Sequence, residues 1–475
     1  MENRPDRWLY TPLEMIITRS VPPADSVLAQ PTDRPNIDVL IQTPLLLGLT
    51  GRDAPVERTN LSISIRSYDN AAKITLSDML RITGAQVANK GYYVRTSSTT
   101  SVHGFNKEFY TSDAFLQLPA NSLGTDYYAI TYEPSLLYTE LAVVALYSDT
   151  LISIQLLPDL GDTDIPRLEV EWDGRTYSNG DTIRLRLQAF QVAQIQSEQD
   201  LTGTHVTSNY PVAFYSGNVR TWIRDDVRER DIQSRDHLVE QIPPTDTWGT
   251  RFVAMNYPPH TGEDRIHVVA SQPDTIVDMT IIPTSDGRQQ EETSRFTLVR
   301  PGTSYQIRLR PNTRISLVAS KPVMVAHLTH SQMADYVPAD ELSDPSLIYV
   351  VPVDQFDNEY VTGTSDYVGD GNFTTFIVLT VKEGLENSLI LDGRPLIFHS
   401  EPPRWRSISI RGDRTAGEPA MVNYVQGYVK ISPGVHQVRS DATTFGAVLW
   451  AKGDRNTIAF PLGMRWSPNK VSRFA

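Results

Sequence analysis

One short phrase is written three times along this chain, and its spacing constrains the fold more than any other feature. The copies read Pro119-Ala-Asn-Ser-Leu-Gly-Thr-Asp-Tyr127, Pro244-Thr-Asp-Thr-Trp-Gly-Thr-Arg-Phe252 and Pro352-Val-Asp-Gln-Phe-Asp-Asn-Glu-Tyr360. Each is a proline, three mostly polar residues, a large apolar residue, Gly or Asp, two more residues and an aromatic. The steps from 119 to 244 and from 244 to 352 are each one small domain long. Tandem modules follow, and 475 residues hold about three domains of roughly 150 residues. A module repeated in this way usually presents surfaces rather than assembling one reaction centre.

The modules read as all-β. Ile183, Leu185 and Leu187 alternate with Arg184, Arg186 and Gln188, and Tyr305, Ile307 and Leu309 alternate with Gln306, Arg308 and Arg310. Period-two alternation marks strands with one face in a core. Thirty-two prolines and twenty-seven glycines punctuate short runs. The expected architecture is tandem antiparallel β-sandwich modules, three full repeats plus a partial one at the N-terminus. Residues 1–35 read as a tail or strap and 36–112 as the partial module. Modules follow at 113–219, 236–332 and 347–463, separated by a charged linker at 220–235 and a loop at 333–346, with a tail at 464–475. Closing strands are expected at Pro211-Val212 and Pro322-Val323, with proline at a strand head or edge. The phrase itself reads as a strand-to-strand turn that plugs the core with Leu123, Trp248 or Phe356.

Charge and cysteine usage narrow the function. A net charge of −13 would repel phosphate backbones, so nucleic acid is not an expected partner. There are no cysteines, which removes disulfides and thiolate metal sites. No apolar run reaches membrane-spanning length, and no signal-peptide layout opens the sequence as given.

Candidate chemistry is sparse. His327-Leu-Thr-His330 ends an alternating strand, where residues three apart point to opposite faces, so no metal is assigned. The acidic clusters at 159–164 and 366–372 lack calcium-loop spacing and read as solvated loops. No nucleophile elbow or nucleotide-binding glycine pattern is present, and no cofactor is expected. Asp236, His237 and Glu240 form the most suggestive polar group. Asn60 and Asn372 are glycosylation sequons if the chain is exported in a eukaryote. Arg411-Gly412-Asp413 matches a tripeptide read by adhesion receptors and is expected at a hairpin tip.

The run Asp236-His237-Leu-Val-Glu240-Gln241-Ile-Pro-Pro244, continuing to Trp248 and Phe252, resembles the most characteristic segment of the IgG-Fc-binding protein N-terminal domain family. Leu116-Gln-Leu-Pro119, Ser208-Asn-Tyr-Pro211, Leu391-Asp-Gly-Arg-Pro395 and Ile458-Ala-Phe-Pro461 are similar to other segments of it, and the resemblance covers roughly residues 60–463. It implies an extracellular, non-enzymatic binding or structural module of mucus and adhesion proteins. Its contacts would be glycoproteins, mucins or cell-surface proteins, with Asp236, His237, Glu240, Gln241 and Trp248 as signature or binding residues. Two other readings stay open. A β-sandwich carbohydrate-active enzyme would use Trp172, Trp222, Trp405 and Trp450 as platforms beside paired carboxylates. A cytosolic β-rich scaffold would fit the absent cysteines.

Overall fold

The structure, a computed structural model, describes residues 14–19, 36–44, 58–66, 71–108, 111–157, 167–223, 234–257, 262–285, 288–289, 291–331, 344–364, 373–453 and 456–465. Among them there is no α-helix, only antiparallel strands and three-residue 3-10 turns. Alternation is the cause: strands such as Thr150–Gln155 bury every second residue, so the chain has faces to pack rather than helical stripes.

Two long strands organise the middle of the chain. His205–Thr221 pairs through residues 205–208 with Thr150–Gln155 and through 212–218 with Thr139–Ala145. Arg314–Leu328 repeats this, pairing first with Thr275–Ile282 and then with Asp264–Ala270. Pro211 and Pro322 lie inside these strands, not at a head or edge. They sit where each strand passes from one partner to the next and the register shifts. Proline is tolerated there because the ladder is already broken.

The three phrase copies share one geometry. Pro119, Pro244 and Pro352 each cap a 3-10 turn in extended conformation, with φ of −66°, −68° and −59°. Leu123, Trp248 and Phe356 then enter the core. In the first copy Gly124 N donates to Tyr127 Oη at 2.8 Å, and Tyr127 Oη donates to Val212 O at 2.7 Å. The third copy reproduces both bonds through Asp357, Tyr360 and Phe445, each at 2.7 Å. Phe252 replaces the tyrosine in the second. The copies also stack. A Cβ on Gly124 would stand 2.6 Å from Pro244 Cβ, and one on Gly249 would stand 2.4 Å from Pro352 Cβ. Each glycine therefore makes room for the proline of the next copy.

A central hub joins the sheets. Four strands, Thr111–Leu116, Asp236–Gln241, Leu347–Tyr349 and Asn456–Pro461, each run antiparallel to the long strand before them. The residue that follows each makes the same backbone bond: Gln117 N to Val102 O, Ile242 N to Phe214 O, Val350 N to Val325 O, and Leu462 N to Ala447 O, all 2.8–2.9 Å. The first hub strand packs on the second, the second on the third, the third on the fourth, and the fourth returns to the first.

Residues 14–19, expected within a tail, form a strand buried on both faces between Ala71–Thr75 and Thr100–Glu108. Met15 and Ile17 enter the core with Val39, Ile41 and Ile65. Ile16 packs the other way, with Tyr360 and Leu379, and Thr18 Oγ1 donates to Val361 O at 3.1 Å. The surrounding Pro, Asp and Arg residues mask this six-residue run in the sequence. Of the expected linkers, Arg220 and Thr221 end a strand, and residues 224–233 and 332–343 lie outside the described residues.

Candidate binding site

The signature strand Asp236–Gln241 divides its residues between two environments, as alternation requires. Asp236 and Glu240 face the hub. Thr111 Oγ1 donates to Asp236 Oδ1, which also accepts from His237 N at 2.8 Å. Glu240 Oε1 accepts from Tyr349 N at 3.0 Å, tying the second hub strand to the third. Asp113 completes this group. Its Oδ1 accepts from Ala114 N at 2.9 Å and Ser346 Oγ at 2.6 Å; its Oδ2 accepts from Val239 N at 3.1 Å and Leu347 N at 3.4 Å. One carboxylate thus holds three hub strands.

These carboxyls are fully enclosed, and burial pushes all three pKa values well above the ordinary range. Around Asp113 the Ser346 hydroxyl and three backbone N–H groups pull the other way. At Asp236 the charge of Asp344 adds to the burial. These are positioning groups inside the molecule, not a surface for a partner. Trp248 is likewise internal, 5% exposed, with its Nε1 donating to Pro243 O at 3.0 Å.

The alternate residues of the strand, His237, Val239 and Gln241, line a large open groove of about 1510 Å³. His237 Nδ1 lies 3.3 Å from Val219 O, and its Nε2 lies 3.0 Å from Asn106 Nδ2. Gln241 Oε1 accepts from Leu118 N at 2.8 Å and Gln117 Nε2 at 2.6 Å. That fixes the amide orientation and leaves Gln241 Nε2 buried without an acceptor at the groove wall. Gln117 Nε2 also donates to Tyr215 Oη at 2.8 Å.

The groove runs between the N-terminal sheets and the sheet built on His205–Thr221, and Asp357–Val361 and Leu462–Met464 complete its wall. It exceeds the 300–1,000 Å³ of ordinary small-molecule pockets. On its rim Leu136, Leu137 and Tyr138 are 45%, 47% and 38% exposed. Leu137 and Phe190, both lining the groove, have φ of 68° and 66°. Every other described non-glycine residue with positive φ is Asp or Asn, which tolerate that region. Phe190 is pinned there, its N–H donating to Ala145 O at 2.6 Å and its O accepting from Gly91 N at 3.0 Å. Sequence reasoning missed Leu137 and Phe190, because neither residue type announces a left-handed conformation.

The remaining sequence candidates lie elsewhere. Asn60 is exposed on the strand Arg58–Ile65 and accepts from Gln42 Nε2 at 3.1 Å; Asn372 and both acidic clusters lie largely or wholly outside the described residues. Arg411-Gly412-Asp413 lies in the hairpin connection between Arg406–Arg411 and Met421–Ile431, at its base rather than its tip, with Gly412 N donating to Ala420 O at 3.1 Å. Arg411 ends a strand and its Nη2 meets Asp278 Oδ2 at 2.9 Å, while Asp413 accepts from Thr415 N at 2.8 Å and opens the loop to Met421. His327 and His330, expected on opposite faces, both reach Asp264: His327 Nε2 at 2.8 Å from Oδ2, His330 Nδ1 at 3.6 Å from Oδ1. The strand ends at Leu328, so His330 turns back. Among the described residues no group of three or more His, Asp or Glu is placed to hold a metal ion.

None of the four proposed tryptophan platforms lines the groove. Trp172 and Trp450 are buried, Trp405 packs against the core beside Gly427, and Trp222 carries the Arg235 guanidinium 4.0 Å from its ring. Among the described residues no helix is long and apolar enough to cross a membrane.

A family model described as IgGFc binding protein matches residues 113–451, well over half of the chain. Human IgGFc-binding protein is 28% identical over 218 residues, which is 46% of this chain and 4% of that protein. The chain therefore corresponds to a small part of that relative's length. The matched region holds three of the hub strands and the three phrase copies, and the chain belongs to the IgGFc-binding protein family.

Proposed function

We propose that this chain is a non-enzymatic binding module of a secreted or cell-surface protein, and that its partner is a protein or glycoprotein of the mucin or surface-receptor kind. The partner's segment lies in the groove beside His237 and Gln241. The observation that carries this reading is the coincidence of strain and exposure. Leu137 and Phe190 hold unfavourable backbone at one groove, and three consecutive large residues stay exposed on its rim. Strain of this kind persists where it serves a contact, and an exposed apolar patch marks an interaction surface. Membership of a binding family supports it, as does the absence of tryptophan platforms from the groove.

Immobilised wild-type chain tested against immunoglobulin Fc, mucins and surface glycoproteins is expected to capture at least one. Leu137→Asp with Tyr138→Ala is expected to weaken that capture at least tenfold, with an unchanged melting temperature. Capture unaffected by the double substitution would sink the groove assignment. Glycoside turnover by wild-type chain would sink the non-enzymatic reading.

A further inference from the structure

Arg314 opens the long strand Arg314–Leu328, paired with Met255 on one side and Ile282 on the other. Ile315, Leu317 and Ala319 of this strand face the core around Phe252. Arg314 points the other way, with Ser316. Ser316 Oγ donates to Ser409 O at 2.9 Å, so this face is the seam against the strand Arg406–Arg411.

The Arg314 side chain is enclosed, 1% exposed, and among the described residues its Nε, Nη1 and Nη2 all lack a hydrogen-bond acceptor. Arg406, at the start of the facing strand, has a buried Nη1 in the same condition. Burial, and then the charge of Arg406, push the Arg314 pKa down, and no carboxylate pulls it up. Among the described residues the orphaned acceptor in this ladder is Gln426 Oε1, opposite Arg406. A single amide oxygen cannot satisfy five guanidinium donors, let alone two such groups.

The same seam shows how this fold treats a buried arginine when it supplies the partner itself. Arg251, on the neighbouring strand, donates to Asp354, to Glu418 and to Arg411 O. Arg314 has nothing comparable. Guanidinium does not shed its proton in proteins, so Arg314 cannot escape by neutralising itself. An uncompensated buried charge is among the costliest groups a fold can hold. The missing element is a negative charge with several acceptor positions.

We propose that Arg314 and Arg406 hold a small inorganic anion, a halide or a single tetrahedral oxyanion, in the seam between the Arg314–Leu328 and Arg406–Arg411 strands. The anion acts as a structural counter-ion. It neutralises two facing guanidinium groups and accepts their N–H donors, and it joins the two sheets where Arg251 joins them with carboxylates. The site is remote in sequence from the groove residues and does not depend on the partner bound there.

The full chain can be tested by calorimetry in sodium gluconate, whose anion is too bulky for an enclosed site. Chloride in one series, and sulfate or phosphate in another, replaces gluconate at constant ionic strength. A resident anion raises the melting temperature by about 1–3 °C per tenfold concentration once above its Kd. The series that responds identifies halide or oxyanion. Arg314→Met, which keeps the stem and removes the charge, is expected to abolish the slope. Equal slopes in wild type and variant, or no slope in either series, would overturn the proposal. Should Arg314→Met not fold, crystals of the wild type soaked in bromide or selenate decide it. An anomalous peak at hydrogen-bonding distance from Arg314 supports the site, and its absence from both soaks overturns it.

Discussion

Leu137 and Asp236 show two ways in which a single residue carries cost for the sake of position. Leu137 holds φ of 68° with nearly half its surface exposed, so packing does not repay the conformation. Replacing it with glycine removes a left-handed penalty of about 1–2 kcal/mol. Leu137→Gly is expected to raise the unfolding free energy by about 1 kcal/mol in denaturant titration while weakening partner capture. A loss of stability would show that the rim side chain is structural.

Asp236 is a buried acid whose folded pKa is raised by burial and by Asp344. A raised carboxyl pKa contributes stability fully below the unfolded value of about 3.9. That contribution is lost as the pH climbs through the folded value. Asp236→Asn removes the titration and keeps an acceptor for Thr111 and His237. The variant is expected to gain on wild type as pH rises above about 4, by up to roughly 1.4 kcal/mol per unit until the folded pKa is passed. His103 acts with the opposite sign. Burial holds it down to about 4, so its contribution is lost as pH falls below about 6.5. The difference between the two Asp236 forms cancels that background. A pH-independent difference would show that Asp236 stays ionised.

Burial raises the Asp113 pKa as it does that of Asp236, but around Asp113 more hydrogen bonds oppose the shift. Its two oxygens accept four donors from three hub strands. Asp113→Asn would turn an N–H₂ group toward N–H or O–H donors, a loss of about 2–3 kcal/mol. Chemical denaturation at neutral pH measures it, and a neutral substitution would mean the acid is already protonated.

At the scale of elements, the phrase copies act as stacked turns. Each Gly or Asp hydrogen bond to the tyrosine fixes a turn internally, and each glycine receives the next proline. Gly249→Val would place Cβ inside Pro352 and is expected to cost about 1–3 kcal/mol. Asp357→Val is expected to cost less, because no following proline packs there in the same way. Similar losses at both positions, read from thermal unfolding, would remove the stacking argument.

Much of this level was legible in the sequence. The phrase, the alternating strands and the Asp236–Gln241 signature all stand in short windows, where periodicity and motif spacing operate. The stacking was not legible, because it joins residues more than a hundred positions apart. The hub was legible only in part. Its equivalent residues are Thr111, Asp236, Asp344 and Asn456, four positions without a common side chain, aligned only by their distance from the shared backbone bonds of Gln117, Ile242, Val350 and Leu462. The groove was hidden for the same reason. Its floor comes from the signature strand, but its strained rim depends on backbone angles that Leu and Phe do not advertise.

For the whole molecule, the decisive contact is the fourth hub strand. Asn456–Pro461 packs against Thr111–Leu116, far earlier in the sequence, and Phe460 is buried with Phe105 at a ring distance of 5.8 Å and with His103 at 4.6 Å. Phe460→Ala is expected to cost about 3–5 kcal/mol. Its effect should reach the N-terminal sheets, seen as faster amide exchange at residues 101–105 and 111–116. Exchange that accelerates only around 445–461 would show that the hub is not one cooperative unit.

That contact also sets an order of events at the ribosome. The strands of residues 14–116 are synthesised well before their neighbour in the hub, Asn456–Pro461. Until Asn456–Pro461 leaves the exit tunnel, Phe105 and His103 face water or a chaperone, and the sheets they belong to wait half-covered. Translation speed between residues 117 and 461 therefore governs how long the N-terminal sheets are exposed to misassembly.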